Sequence, residues 1–280
     1  MNSYLLSLEQ LSNRFLEAAA RHFAYPYWFI LSVGHQHLYY LGADHVFIPE
    51  HMQFRGTDFL WRQFLDRTEG HTRLALIEGR LHLVEEDRRA AVADAEAAIR
   101  NFGESGYVAH LAHRAGVSWH CPEPSEEREL GHLSQRFGRD ATAYHYFARQ
   151  VRQWQRVTSG ETFDAYLSRY LARFAGAAGW SGYDFSLDHM RALHDAAHDH
   201  PFDPEACQCF DLDLDPGSSP VSLASLDFRD TQVVQEIIRL WQSGASLFVM
   251  YGAAHAFRQE AALRRLLPHD EFETAWNGTN

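Results

Sequence analysis

The chain has 280 residues, 46% of them hydrophobic and 22% charged, which suits a folded protein with one sizeable core and argues against a disordered chain. Its formal net charge of -12 argues against nucleic acid or an anionic membrane as a partner. Three cysteines give no basis for a disulfide framework, and no apolar run is long enough for a membrane span. Together these features predict a cytoplasmic protein.

The first twenty or so residues have the sequence pattern of an amphipathic helix. Apolar residues recur at helical spacing, with two glutamates and an arginine between them. This pattern predicts a surface helix rather than the apolar segment of a signal peptide. The apolar positions are Leu5, Leu8, Leu11, Phe15 and Ala18.

Three short apolar runs predict buried strands. They span residues 27–34, 73–79 and 246–252, and each is closed by a glycine. Continuous apolar runs of this length are typical of a parallel sheet that is covered on both faces. A shorter candidate strand spans residues 116–121.

Helical patterns lie between the predicted strands. They span residues 87–103, 103–116 and 229–244, and Gly103 and Gly244 are suited to end the first and the last of them. The alternation of strands and helices predicts an α/β fold, with a mainly parallel central sheet covered by helices.

The middle of the chain is helical in pattern and contains no convincing strand. We therefore predict an all-helical insertion, residues 131–214, before the last strand. The α/β core domain would comprise residues 1–130 and 215–280. Apolar faces on the inserted helices could support a homodimer.

Candidate functional residues follow the apolar runs, because ligands bind at the carboxyl ends of the strands in a parallel α/β sheet. Two of these runs end in the pattern glycine, two residues, histidine. Imidazoles and a carboxylate that meet there could bind a metal, or supply a general base with an orienting acid. Tyr251 and Glu123 could face the same pocket and bind substrate. The candidate histidines and glutamate are His35, His37, Glu78 and His255.

Three motifs in this order resemble the Tiki/TraB superfamily. They are GHQH at 34–37, LALIEG at 74–79 and YGAAH at 251–255. Further support comes from the Glu-bearing segment 103–117, and from 228–237, which resembles the family's Arg-Asn/Asp segment. The superfamily includes Tiki proteases, TraB and PrgY proteins, erythromycin esterases and ChaN-type haem-binding lipoproteins. The resemblance leaves the helical middle unmatched.

The resemblance implies a hydrolase that acts on an ester, amide or peptide bond of a small molecule or peptide. His37 and His255 would be the motif histidines, with Glu78 as their acidic partner. Arg229 would stabilise an oxyanion, and Glu104 would supply a second carboxylate near the substrate.

The role of a metal is left open by the resemblance, since relatives include metal-dependent and metal-free members. Some relatives carry glutamate where this chain has His35, and an extra imidazole on that loop favours a divalent metal such as Zn, Mn or Co. The alternative function is haem or metal binding in the same pocket, and haem would need an exposed axial ligand beside an apolar groove. The expected metal ligands are His35, His37, Glu78 and His255.

A second group of histidines lies near residue 200. His194 and His198 are four residues apart and share one helix face, and Cys207 and Cys209 follow. The cysteines have no matching second pair, so we favour a polar helix end followed by a loop over a metal site.

Overall fold

The α/β fold class is confirmed by the computed structural model, which has a mixed, mostly parallel sheet covered by helices. The chain divides into an α/β unit, Met1–Glu123 with Asp230–Asn280, and a helical unit, Pro124–Arg229. The structure describes residues 4–20, 26–79, 90–156, 160–205 and 219–275.

The elements alternate along the α/β unit and are helical between β4 and β5. The strands are β1 (Tyr27–Val33), β2 (Gln36–Ala43), β3 (Arg73–Ile77), β4 (Ser118–His120), β5 (Ser246–Gly252) and β6 (Glu271–Thr274). The helices are α1 (Leu8–Ala20), α2 (Gln53–Arg67), α3 (Ala95–Ala115), α4 (Glu126–Phe137), α5 (Arg139–Arg156), α6 (Phe163–Ala178), α7 (Leu187–Ala197), α8 (Ser219–Gln242) and α9 (Ala253–Leu266).

The sheet has the strand order β4-β3-β5-β2-β1-β6. Strands β2, β5, β3 and β4 are parallel to one another, whereas β1 is antiparallel to both β2 and β6. Strand β5 lies at the centre of the parallel part, as its uninterrupted apolar sequence indicates. The strand predicted to be the last, β5, is followed in the chain by a further strand, β6, which lies at the edge of the sheet.

Residues 27–43 form a β-hairpin, which corrects the prediction that the first strand ends in a loop at the functional edge. Val33 pairs with Gln36, so Gly34 and His35 form a two-residue turn, and Gly34 has a left-handed φ of 57°. The apolar residues that follow the turn are a second strand, β2. Two apolar runs separated by glycine and one further residue are a hairpin signal.

Helices bury both faces of the sheet. Along β2, Leu38 and Tyr40 pack in the core formed with α1, α8 and α9, whereas Tyr39 and Leu41 pack in the core formed with α2 and α3. This alternation follows the pleat of a strand that is covered on both sides. The residues at the ends of the strands are therefore attached to a fully packed framework.

Helix α3 takes the place of two predicted helices. It begins at Ala95, where the side chain of Asp94 accepts a hydrogen bond from the N–H of Ala97. Residues 80–89, which include the predicted start at 87, lie outside the described residues. Gly103 interrupts the helix with a φ of 61°, so the predicted helix end is a kink.

The helical unit has a core of its own, which includes Phe147 from α5 and Val221 from α8. It spans 124–229, whereas the sequence placed it at 131–214, because the first turns of α8 pack in the helical core. Within the described residues, no helix has both the length and the apolar character required to cross a bilayer.

Candidate functional site

Three side chains with metal-binding groups meet at the carboxyl edge of the parallel strands. His45 follows β2, Glu78 follows β3, and Glu104 lies on α3, and we call these three residues the edge cluster. One ligand atom from each lies within 4.8 Å of the others. Ligand atoms lie about 2.0–2.2 Å from a bound divalent ion, and therefore up to ~4 Å from one another. The edge cluster could hold a metal ion after small side-chain movements.

Gly42, at the end of β2, allows helix α9 to pack directly on the sheet. A Cβ atom at this position would lie 2.7 Å from Cβ of Ala256 and 2.9 Å from Cα of Ala253, closer than real Cβ atoms approach. The absence of a side chain at Gly42 thus sets the position of the first turn of α9, which carries His255.

Gly252, at the end of β5, lies directly beneath the edge cluster. A Cβ atom there would lie 3.1 Å from Nε2 of His45 and 3.3 Å from Oε2 of Glu78. Any larger residue would press on both groups. The φ of Gly252, -57°, is open to any residue, so the constraint here is close approach: a Cβ fits only if both side chains move by a few tenths of an ångström.

Glu104 enters the edge cluster because the kink at Gly103 begins a new helical segment. A carboxylate in the first turn of a helix is favoured by the helix dipole. Oε1 of Glu104 accepts a hydrogen bond from Nδ1 of His45 at 2.6 Å, with side chains 5% and 60% exposed respectively. This hydrogen bond raises the pKa of His45 to about 9, because it stabilises the imidazolium more than partial burial disfavours it.

Glu78 is held across the end of β5 by two backbone contacts. Its N–H donates to the carbonyl of Met250 at 2.9 Å, and its Oε2 accepts from the N–H of Gly252 at 2.6 Å. Its other oxygen, Oε1, lies 3.5 Å from Nε2 of His255. Glu78 therefore joins the edge cluster to His255, as the sequence predicted for this pair.

A fully buried carboxylate, Asp230, orients His255. Asp230 accepts hydrogen bonds from Nδ1 of His255 at 2.6 Å, from Nε2 of Gln259 at 2.7 Å and from the guanidinium of Arg258 at 2.9 Å. Burial acts to raise the pKa of Asp230, but His255, Arg258 and the hydrogen bonds outweigh it and hold the pKa below its usual range. Asp230 is thus a buried anion that fixes the ring of His255.

Two buried tyrosines lie beneath this edge, and one of them is Tyr251, which was predicted to bind substrate. Tyr251 is 0% exposed and lies in the core, and its hydroxyl has no hydrogen-bond partner among the described residues. Tyr40 donates to Oε1 of Gln259 at 2.8 Å and so extends the network below Asp230. Burial, followed by nearby carboxylates, raises the pKa of both tyrosines well above the usual range, which keeps them protonated.

Glu123, a predicted substrate-binding residue, follows β4 on the same side of the sheet. The thiol of Cys121 donates to its Oε2 at 3.6 Å. After burial, Glu123 and then Cys121 are the largest influences that raise the pKa of Tyr251, so both lie near the tyrosines. The structure thus brings Glu123 to the edge that carries Glu78.

His35 and His37 lie at the opposite end of the sheet, so the prediction that they share a metal site with Glu78 and His255 is wrong. The N–H of His37 donates to Oγ of Ser246 at 3.1 Å, at the start of β5. Six extended residues separate Ser246 from the end of β5, which is roughly 20 Å. The prediction failed because β2 carries the chain away from His37 before it reaches the carboxyl edge of the parallel strands.

Both histidines have structural contacts at that end. Nδ1 of His37 lies 2.8 Å from Oγ of Ser32, and burial, followed by the charge of Arg67, lowers the pKa of His37. The ring of His35 stacks on that of His71 with centroids 4.0 Å apart. These contacts account for both side chains without a ligand.

Arg229 belongs to the helical unit, where it lines a cavity with His145 and Arg149. The cation that contacts Asp230 within the α/β unit is Arg258, from α9, whose side chain is 8% exposed. The residue that follows Arg229 in the sequence, Asp230, makes the contact with His255.

The second histidine group forms hydrogen bonds rather than a described metal site. The hydroxyl of Tyr144 lies 2.9 Å from Nδ1 of His194 and 3.0 Å from Nε2 of His198. In the part of the chain that the structure describes, the edge cluster is the one group with metal-ligand geometry. Cys207 and Cys209 lie outside the described residues.

Sequence reasoning missed His45 and Asp230, although both left a signal. His45 completes a glycine, two residues, histidine pattern at 42–45 that matches the one at 252–255. Asp230 stands in the segment 228–237 that was singled out for its arginine. Comparison of the chain with protein-family models, with curated proteins and with solved structures gave no match.

Proposed function

We propose that the carboxyl edge is the active site of a metal-assisted hydrolase that acts on an ester or amide bond. One observation carries the proposal: Glu78 links a group of metal-ligand type, His45 and Glu104, to the His255–Asp230 pair. An imidazole that is oriented by a buried carboxylate beside a metal-binding group is an arrangement suited to metal-assisted hydrolysis.

The donor atoms of the edge cluster suit a divalent cation. One imidazole nitrogen and two carboxylates match the preferences of Zn, Mn and Co, which the sequence also indicated. His45, Glu78 and Glu104 would hold the ion. A divalent ion there would supply Lewis-acid polarisation of the carbonyl oxygen of the substrate.

His255 is suited to move the proton. The carboxylate of Asp230 accepts the Nδ1 hydrogen, which leaves Nε2 on the side of Glu78 as the basic nitrogen. In the proposed reaction, Nε2 takes a proton from water while the water oxygen bonds to the acyl carbon. The same proton then passes from Nε2 to the leaving oxygen or nitrogen as its bond to carbon breaks.

The exposure of the groups fits this division of roles. The side chain of His45 is 60% exposed, those of His255 and Glu78 are 12% and 14% exposed, and that of Asp230 is fully buried. A substrate can therefore reach His45, and water can reach His255, whereas Asp230 keeps its orienting contact away from solvent.

The proposal keeps the hydrolase class that the Tiki/TraB resemblance implies, but it assigns the motifs differently. The first glycine, two residues, histidine motif becomes 42–45 in place of 34–37, and Asp230 replaces Arg229 as the contributor from α8. Glu78, Glu104 and His255 keep the site that the resemblance gave them.

The test is turnover of p-nitrophenyl acetate and of a p-nitroanilide amide in the presence of Mn²⁺, Zn²⁺ or Co²⁺. We expect His255→Gln to lower kcat by about 10²–10⁴, the usual contribution of a general base. His37→Gln is the matched control, since it removes a buried imidazole at the other end of the same sheet. A wild-type kcat in His255→Gln, or an equal loss of kcat in His37→Gln, would contradict the proposal.

A second candidate, haem binding, is favoured by the surroundings of His45. The exposed ring of His45 is followed in sequence by two exposed apolar side chains, Phe47 at 51% and Ile48 at 61%. An accessible imidazole beside apolar surface is what an axial ligand needs. Titration with haemin should then give a Soret band that His45→Ala abolishes, and a band that persists in this variant would exclude His45 as the ligand.

A further inference from the structure

A cavity of about 210 Å³ lies in the helical unit, between helices α5 and α8. From α5 it is lined by His145, Arg149 and Arg152, which are spaced four and three residues apart and share one face of the helix. From α8 it is lined by Ser222 and Arg229, seven residues apart, which is two helical turns. Both helices thus direct polar or cationic groups toward one space.

The lining is strongly cationic and can donate many hydrogen bonds. Three guanidinium groups surround the cavity, and each carries five N–H donors in a planar fork that matches the oxygens of a phosphate. The hydroxyls of Ser222 and Ser225 add donors, although that of Ser225 is bonded to Glu129. Leu223 and Leu226 complete the wall and give the cavity an apolar side.

His145 provides a second observation that points to a ligand. Its residue is 5% exposed, its Nδ1 lies 3.0 Å from Oγ of Ser222, and its Nε2 is buried without a hydrogen-bond partner among the described residues. Burial, followed by the charges of Arg149 and Arg229, lowers the pKa of His145 to about 3. The positive potential of the cavity therefore reaches this ring, and a buried polar atom without a partner carries a free-energy cost that a ligand could remove.

We propose that this cavity binds the phosphate group of a small phosphate monoester, with the guanidinium groups of Arg149, Arg152 and Arg229 around its oxygens. The apolar part of the ligand would face Leu223 and Leu226. The volume is below the roughly 300–1,000 Å³ of pockets for drug-sized ligands, which suits a small ligand. The site lies within the helical unit, and the proposal is independent of hydrolysis at the edge cluster.

The experiment is a titration of the full chain with inorganic phosphate at constant ionic strength, followed by calorimetry and by the NMR signal of the His145 ring. Wild-type protein should show saturable binding at one site, with a shift of the His145 signal. Arg149→Gln should weaken binding at least tenfold, because each charge-assisted bond to phosphate is among the strong ones. Arg149 is exposed, so its replacement leaves the core intact, and Arg152→Gln serves as a second variant.

Arg100→Gln is the matched control, since it removes the same charge from an arginine of the α/β unit that is 59% exposed. Its phosphate affinity should equal that of the wild type. A linear response without saturation, or equal weakening by Arg100→Gln and Arg149→Gln, would overturn the proposal. Acetate that binds as tightly as phosphate would overturn the assignment to a phosphate group.

Discussion

Replacement of Asp230 by asparagine should strongly destabilise the α/β unit. Asp230 is 0% exposed and accepts three hydrogen bonds, two of them from His255 and Arg258. Asp230→Asn removes the negative charge that lies 2.9 Å from Arg258, and it leaves the arginine side chain, which is 8% exposed, against a neutral amide. Breaking a buried ion pair from one side costs about 3–5 kcal/mol.

Hydrogen exchange of the β5 amides measures this loss within the α/β unit alone. A loss of 3 kcal/mol or more corresponds to exchange that is at least about a hundredfold faster, if the amides exchange through global unfolding. Asp188→Asn, at a position whose side chain is 94% exposed, is the control and should leave the exchange rates unchanged. Asp230→Asn and Arg258→Met each lower the free energy of unfolding. The double variant should lose about 1–3 kcal/mol less than the sum of these two single losses.

Additive losses in the double variant, or unchanged exchange in Asp230→Asn, would refute the assignment of Asp230 as a buried partner of Arg258. Retention of full hydrolytic activity by Asp230→Asn would separately refute its role in orienting His255. The two readouts thus distinguish the effect of Asp230 on stability from its effect on the site.

Two further predictions concern packing and pH. Gly42→Ala should cost about 1–3 kcal/mol of unfolding free energy in urea titrations, because the new Cβ meets Cα of Ala253. Gly131→Ala, at a half-buried position of α4 where an added Cβ would have no atom within 4 Å, should be neutral or stabilising, and equal effects at the two positions would contradict the packing argument. His145 should make stability fall by about 2 kcal/mol between pH 7 and pH 5, since the unfolded chain takes up its proton near pH 6.5 and the folded chain only near pH 3. His145→Gln should flatten this part of the profile, and an unchanged slope would show that His145 is not buried in its neutral form.

Much of the α/β unit could be predicted from apolar runs alone. The apolar runs that form β1, β3 and β5 are continuous and end in glycine or at a polar residue. Their burial on both faces can therefore be predicted from the sequence. Strand β2 was missed because His35 precedes it and Gln36 and His37 are its first two residues, and all three were assigned to a functional loop. A hairpin turn and a functional loop both begin with glycine, and only strand pairing distinguishes them.

The general place of the site could also be predicted, whereas its members could not all be. Glu78 and His255 lie at the carboxyl ends of parallel strands, where the fold places ligands. His37 was chosen in place of His45 because the candidate histidine was expected after β1 rather than after β2. These two strands are antiparallel, so their carboxyl ends lie at opposite ends of the sheet. Asp230 could not be identified as a buried anion, since burial of a charge depends on partners such as Arg258 that are distant in sequence.

The most direct test of the account is calorimetric titration of the metal-free chain with Mn²⁺ and with Zn²⁺. We predict saturable binding of one ion per chain, weakened at least tenfold in Glu104→Gln, which removes one ligand of the edge cluster, and unchanged in His37→Gln. Absence of saturable binding, or equal weakening by the two variants, would contradict a metal site formed by His45, Glu78 and Glu104.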